Sequence, residues 1–216
     1  TISNSLIRNN TDGIEADAGS APVIMENTFS GNQRPISVYA NRINNTILGN
    51  SFSENIKNYI EVQGDNIDEN REITWAQDGA PYVLNGDIAV QRNNNSGQIS
   101  ILKIASGTVV KAQSGIDIFI GNNNSNYKGG LQATGVTFSS LDSTGWSGIT
   151  FYNYAIDEDC LIDSSIIEHA VNGIYCVSAD PTISNSLIRN NTDGIEADAA
   201  SAPVIMENTF SGNQRP

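Results

Sequence analysis

The chain has 216 residues, of which 38% are hydrophobic, ample for a core and outside the range of disordered sequences. Asp and Glu number 24 against 11 Lys and Arg, a formal net charge of −13, so nucleic acid and anionic membrane surfaces are repelled. No apolar run reaches the roughly 20 residues of a membrane-spanning helix, and no signal peptide opens the chain.

Residues 1–35 read TISNSLIRNNTDGIEADAGSAPVIMENTFSGNQRP, and residues 182–216 repeat them at an offset of 181 with one change, Gly19 against Ala200. Such recurrence is the signature of a repeat architecture, in which each unit buries its apolar faces against a neighbour. One continuous solenoid over 1–216 is expected, with 1–35 closing one tandem unit and 36–216 forming a full one. Thr1 is not an initiator Met and both ends fall inside the repeat, so a piece of something longer is also expected.

From the start, short apolar stretches alternate with Asn, Gly, Ser and Asp, and helical periodicity never persists. Ile14-Glu15-Ala16-Asp17, Ile36-Ser37-Val38-Tyr39-Ala40 and Ile60-Glu61-Val62-Gln63 read as strands, with Ile14 and Ala16 on one face and Glu15 and Asp17 on the other. A smaller period is nested in the large one. Glu26–Asn32 (ENTFSGN) returns as Gly49–Asn55 (GNSFSEN), and Ile162, Ile167, Gly173 and Ile174 return at Ile183, Ile188, Gly194 and Ile195, a step of 21. Ile88-Ala89-Val90, Ile116–Ile120 and Ile149–Tyr152 extend the same column, with excursions at Asn93–Gly97 and Asn122–Asn126. Steps of 21 to 33 residues then divide the unit into about seven coils of a parallel β-helix, an all-β fold. At about 4.8 Å per coil the unit spans roughly 34 Å.

Residues 86–148, with GDIAV, LKIASGTVVKAQSG, GGLQATGVTF and GWSGITFYN, followed by the Asn- and Ser-rich coils, resemble bacterial and archaeal surface proteins of the right-handed parallel β-helix repeat type. The coils are similar to those of pectate lyases and other sugar-binding or sugar-cleaving β-helices. The resemblance covers nearly the whole chain and implies the fold; its superfamily also holds hydrolases, phage tailspikes and adhesins, so it implies no single activity.

Stacking the strands as aligned sets Thr150, Tyr175, Glu196, Ser37 and Glu61 in one outward column and Tyr152, Val177, Asp198, Tyr39 and Gln63 in the next. Tyr39, Glu61, Tyr152, Tyr175, Glu196 and Asp198 are therefore the candidate glycan-binding face, since aromatic rings stack on sugar C–H surfaces and carboxylates accept from hydroxyls. A solvated sheet face is the plainer reading. Glu196 and Asp198, two apart on one strand, are also the candidate calcium ligands and the only cofactor site the pattern suggests. No Lys or Arg aligns beside them to serve a lyase, and His169, the single histidine, has no nucleophile partner, so no catalytic set can be assembled. Cys160 and Cys176 lack metal-ligand spacing and read as buried apolar residues.

Asn27 over Asn50 and Asn32 over Asn55 form the candidate stacking ladders, because Asn side chains can bond from coil to coil and Asn accepts left-handed backbone. Asn9, Asn44, Asn94, Asn123 and Asn190 each open an N-N-[ST] triplet, candidate N-glycosylation acceptors at a frequency that composition alone accounts for. The expected role is that of a structural segment of an extracellular or cell-surface tandem-repeat filament, sheath, stalk or adhesin. Its expected partners are copies of itself end to end, and polysaccharide. A carbohydrate-active or carbohydrate-binding β-helix and a trimeric tailspike are the alternatives.

Overall fold

The structure, a computed structural model, describes residues 1–68, 72–93, 99–142 and 144–216. Their strands are two to nine residues long, and each pairs in parallel with the strand one coil away; Arg92–Asn93 alone runs antiparallel, against Tyr127–Thr134. The one helical element among the described residues is a single 3-10 turn, Ala40–Arg42. A parallel β-solenoid of about eight coils results. The step between stacked residues ranges from 21 at Ile162 on Ile183 to 31 at Ile118 on Ile149.

A nine-stranded sheet carries the length of the molecule. Its inward column is Ile14, Ile36, Ile60, Tyr82, Val110, Phe138, Ile167, Ile188 and Phe210, and from Ile36 to Ile188 every one of these side chains is buried. Alternation is what drives this: each strand sends every second residue inward, where burying a large aliphatic side chain contributes about 1.5–3 kcal/mol. The turns between strands need left-handed backbone, which Asn supplies at Asn4, Asn9, Asn45, Asn185 and Asn190, with φ between 50° and 58°. From residue 72 onward each coil adds one strand to each of three sheets: a seven-stranded sheet, the nine-stranded sheet and a six-stranded sheet.

The single column expected from the sequence is broken in the middle. Ile60 lies on Tyr82, and Ile88 lies on Asp65 in the six-stranded sheet, followed by Ile118, Ile149, Ile174 and Ile195. Residue 118, not 116, holds the column. The cause is local. After Ile60–Gln63 the chain turns at once into a new strand, Asp65–Ile67, at Gly64, which rests on Gly86; a Cβ on Gly64 would meet the Gly86 carbonyl carbon at 2.7 Å. IEVQ and IAVQ carry the same alternation, so periodicity cannot tell which sheet each one enters.

That break separates the two copies of the repeat. Asp12–Glu15 begins the nine-stranded sheet, whereas its copy, Asp193–Ala197, ends the six-stranded one; Leu6–Arg8 belongs to a three-stranded sheet, and its copy Leu187–Arg189 to the nine-stranded one.

Candidate functional site

Two outward faces carry the candidate residues. On the nine-stranded sheet, Glu15, Ser37 and Glu61 stack in successive coils. Glu61 is only 1% exposed although it is charged. Arg34 Nη1 donates to its Oε1 at 2.6 Å and Lys57 Nζ to its Oε2 at 2.9 Å, while Arg34 also reaches Asp12 at 2.6 Å and Glu15 at 3.2 Å. Gln63 Nε2 donates both to Glu61 at 3.1 Å and to Ser37 Oγ at 2.9 Å. Burial opposes the charge on Glu61, but the hydrogen bonds from Lys57 and Arg34 overcome it and hold its carboxyl below the usual range. Its hydrogen bond to Glu61 likewise raises Lys57.

Sequence reasoning placed no base on this face and missed Arg34 and Lys57. The signal for Arg34 was present, since the step of 22 that sets Ile14 on Ile36 sets Asp12 on Arg34. Beside this network an open cavity of about 470 Å³ is lined by Glu15, Asp17, Ser37, Tyr39 and Gln63.

The second face belongs to the six-stranded sheet, where Ala89, Phe119, Thr150, Tyr175 and Glu196 form an outward column. Phe119 and Tyr152 pack with ring centroids 5.8 Å apart. Partial burial, with Asp117 and Tyr175 nearby, raises the Tyr152 phenol. A cavity of about 280 Å³ lies against Phe119, Tyr152, Gln91 and Asn122. Tyr39 and Glu61 therefore do not share a face with Tyr152, Tyr175 and Glu196: the column break puts the two sets on adjacent sheets.

Glu196 and Asp198 have separate hydrogen-bond partners. Glu196 accepts from Asn172 Nδ2 at 2.9 Å. Asp198 accepts from Ser201 Oγ at 2.8 Å and from the Ser178 and Ala200 amides, both at 3.0 Å, and these bonds lower its carboxyl. Asp17 closes the same turn in the first copy through the Gly19 amide and Ser20 Oγ, so turn closure accounts for this aspartate in both copies. Among the described residues no group of three or more His, Cys, Asp or Glu side chains could hold a metal ion.

The Asn side chains run as directed ladders. Asn27 donates its amide and Nδ2 to Asn50 Oδ1 at 3.0 and 3.1 Å, and Asn50 donates in turn to both carboxylate oxygens of Asp78 at 2.9 Å. The second ladder runs from Asn10 to Asn32 to Asn55. The Nδ2 groups of Asn27, Asn32, Asn50 and Asn55 also donate backwards to a carbonyl of the preceding coil, as from Asn27 to Ile2 and from Asn55 to Phe29. Each side-chain amide of Asn27, Asn32, Asn50 and Asn55 thus has two acceptors, which a buried polar group requires. In the second copy Asn191 and Asn213 repeat the arrangement.

Of the glycosylation triplets, Asn9 and Asn190 are exposed left-handed turn residues and Asn123 is exposed. Asn44 Oδ1 accepts from the Thr74 amide at 3.1 Å, and Asn94 lies outside the described residues. His169 sits directly over Asn190, both with left-handed φ, at 60° and 56°. Cys160 and Cys176 are free and buried, and burial pushes both thiols up to about 12.

Residues 114–216 match the family model described as a right handed beta helix region. The chain is a parallel β-helix repeat protein. Residues 1–88 match a second model, described as that of a periplasmic copper-binding protein, NosD. Each covers less than half of the chain, and neither a curated protein nor a solved structure matches it.

Copper favours imidazole, thiolate and thioether donors. Residues 1–88 hold no His and no Cys, and Met25 is their one thioether. His169 and the two buried thiols lie in the other half of the chain, so the donor set does not fit copper. No described helix is long and apolar enough to cross a membrane.

Proposed function

We propose that this chain is a structural segment of an extracellular or envelope β-solenoid made of tandem 181-residue units, acting as a filament, sheath, stalk or adhesin. The observation that carries the reading is a reciprocal change in burial between the copies. Ile24 and Phe29 are fully buried, and their copies Ile205 and Phe210 are 46% and 37% exposed. Conversely, Ile2 is 37% exposed and its copy Ile183 is fully buried. The same residues complete a core wherever another coil covers them, and copies of the unit placed end to end supply such a coil.

The description of the second matching family as periplasmic supports a place outside the cytoplasm. Antibody raised against residues 99–142, which occur once per unit, should decorate the native protein as a row with a period of about 34 Å on rods at the cell surface. A single label per particle, or labelling confined to the cytoplasm, contradicts the proposal.

A second reading rests on the cavity beside Tyr39, whose lining of ring, amide, hydroxyl and two carboxylates suits a sugar. On a glycan array, binding by the chain that Tyr39→Ala abolishes supports it; no binding, or binding unchanged in Tyr39→Ala, removes it. Release of reducing ends from acidic polysaccharides, with and without calcium, tests the enzymatic version.

A further inference from the structure

The cavity beside Tyr39 draws on successive coils: Glu15, Asp17 and Ser20 come from the first, and Ser37, Tyr39 and Gln63 from the coils stacked on it. What these side chains still offer a ligand follows from the bonds they already make. Asp17 Oδ1 accepts from the Gly19 amide and from Ser20 Oγ, so the Ser20 proton is spent. Gln63 Nε2 gives its protons to Ser37 Oγ and Glu61, which leaves Oε1, an acceptor. Glu15 is exposed and takes one bond from Arg34 at 3.2 Å, well short of what a carboxylate can accept.

Among the described residues no Lys, Arg or His lines this cavity. Of the cations nearby, Arg34 is shared by Asp12, Glu15 and Glu61, Lys57 is bound to Glu61, and Arg42 Nε donates to the Ala18 carbonyl. The lining is therefore rich in acceptors and sets two carboxylates beside one aromatic ring.

We infer that this cavity takes a cationic amino sugar, whose ammonium and hydroxyl protons meet the carboxylates and the Gln63 carbonyl while its ring packs on Tyr39. The inference deepens the sugar reading of the same cavity and rests on it. A uronic acid would set like charge against Glu15 and Asp17, a costly juxtaposition. A bare calcium ion needs about six to eight oxygens at roughly 2.3–2.6 Å, whereas an open space of about 470 Å³ holds a ring-sized ligand.

The repeat supplies an internal control. Glu196, Asp198 and Ser201 are the copies of Glu15, Asp17 and Ser20, and Asp198 closes its turn through the same two bonds. Asp193–Ala197 is, however, the last strand of the six-stranded sheet, so no described strand stands over it as Arg34–Tyr39 and Ile60–Gln63 stand over the first copy. Glu196 instead accepts from Asn172 of the coil before it. The second copy thus carries half of the site, and the chain holds one complete site. Where a further unit follows, as in the tandem reading, its copy of residues 36–63 completes the second.

Calorimetric titration of the chain with a β-1,4-linked glucosamine tetramer tests this, in mildly acidic buffer that keeps the amines protonated and the carboxylates ionised. One ligand per chain is expected, bound about tenfold or more tighter than the N-acetylated tetramer, which keeps the rings and loses the charge. A galacturonate tetramer should not bind. Glu15→Gln, a change at an exposed residue, should weaken the glucosamine tetramer about tenfold. Tyr39→Ala should abolish binding, and Glu196→Gln should change neither affinity nor stoichiometry.

Equal binding of the glucosamine and N-acetylated tetramers, or a preference for galacturonate, overturns the inference and leaves the sugar reading standing. Two equal sites per chain, or the same loss in Glu196→Gln as in Glu15→Gln, does likewise. Non-specific attraction of a polycation to this acidic chain survives Tyr39→Ala, so binding that survives overturns both. No binding of the glucosamine tetramer overturns the inference, while Tyr39-dependent binding of another sugar on the array keeps the sugar reading.

Discussion

Residues 1–35 and 182–216 differ at one position yet live in different surroundings. In the first copy the strand Thr28–Ser30 is covered by Ser51–Ser53, and Phe29 stacks on Phe52 with centroids 5.4 Å apart. In the second, Thr209–Ser211 is the last strand of its sheet, covered on one side only. At the other end of the repeat the relation is inverted: Ile2–Ser3 has a neighbour on one side, and Thr182–Ser184 lies between two. Sequence therefore decides which residues point inward, and the adjoining coil decides whether that orientation becomes burial.

The comparison can be broken most forcefully in the core. Phe29→Ala should destabilise the chain by about 3–5 kcal/mol in urea unfolding, and Phe210→Ala by roughly 1 kcal/mol, because the exposed copy leaves no closed cavity. Equal losses would mean that burial does not separate the copies.

Next come the ladders. Asn27→Ala removes the acceptor of the Ser5 amide and the Nδ2 group that donates to Asn50 and to the Ile2 carbonyl, with a cost of about 1–3 kcal/mol. Asn208→Ala removes the same groups at a half-buried site and should cost less than about 1 kcal/mol; thermal melts of the two variants compare them directly.

A smaller effect distinguishes the charged network, which is complete only in the first copy, where Glu61 joins Arg34. The folded-state carboxyls of Glu61 and Glu168 are held below their unfolded values. Their stabilisation is therefore present above about pH 4.3 and is lost as pH falls through the folded values. Burial raises Asp65 and Asp117, which act in the opposite sense. Melting temperature should fall from pH 5 toward about pH 3, and Glu61→Gln should flatten that decline while lowering stability at neutral pH. An acid limb unchanged in Glu61→Gln would show that the network carries none of it.

Much of the fold was legible in the residues. Short alternating strands, Asn and Gly turns and steps near 22 residues point to a parallel β-helix, and Asn27 over Asn50 follows from aligning ENTFSGN with GNSFSEN. Two things were hidden. One was the change of column at Gly64, because Ile60-Glu61-Val62 in the nine-stranded sheet and Ile88-Ala89-Val90 in the six-stranded sheet present the same Ile-x-Val alternation and nothing in that pattern records which sheet each enters. The other was the partnership of Arg34 and Lys57 with Glu61: Lys57 sits in the connection ahead of its strand, and a side chain that reaches sideways across coils leaves no trace in a period-two pattern. The proposed glycan face divided for the first of these reasons.

The dependence of each coil on its neighbour is tested most directly by hydrogen exchange followed by mass spectrometry, because the two copies have nearly the same intrinsic exchange rates and peptides that include Gly19 or Ala200 differ in mass. Peptides covering 1–19 should exchange faster than those covering 182–200, and peptides covering 19–35 should exchange more slowly than those covering 200–216. That crossing of protection within one repeated sequence is the result the account predicts. Matching protection in both halves of the two copies would contradict it.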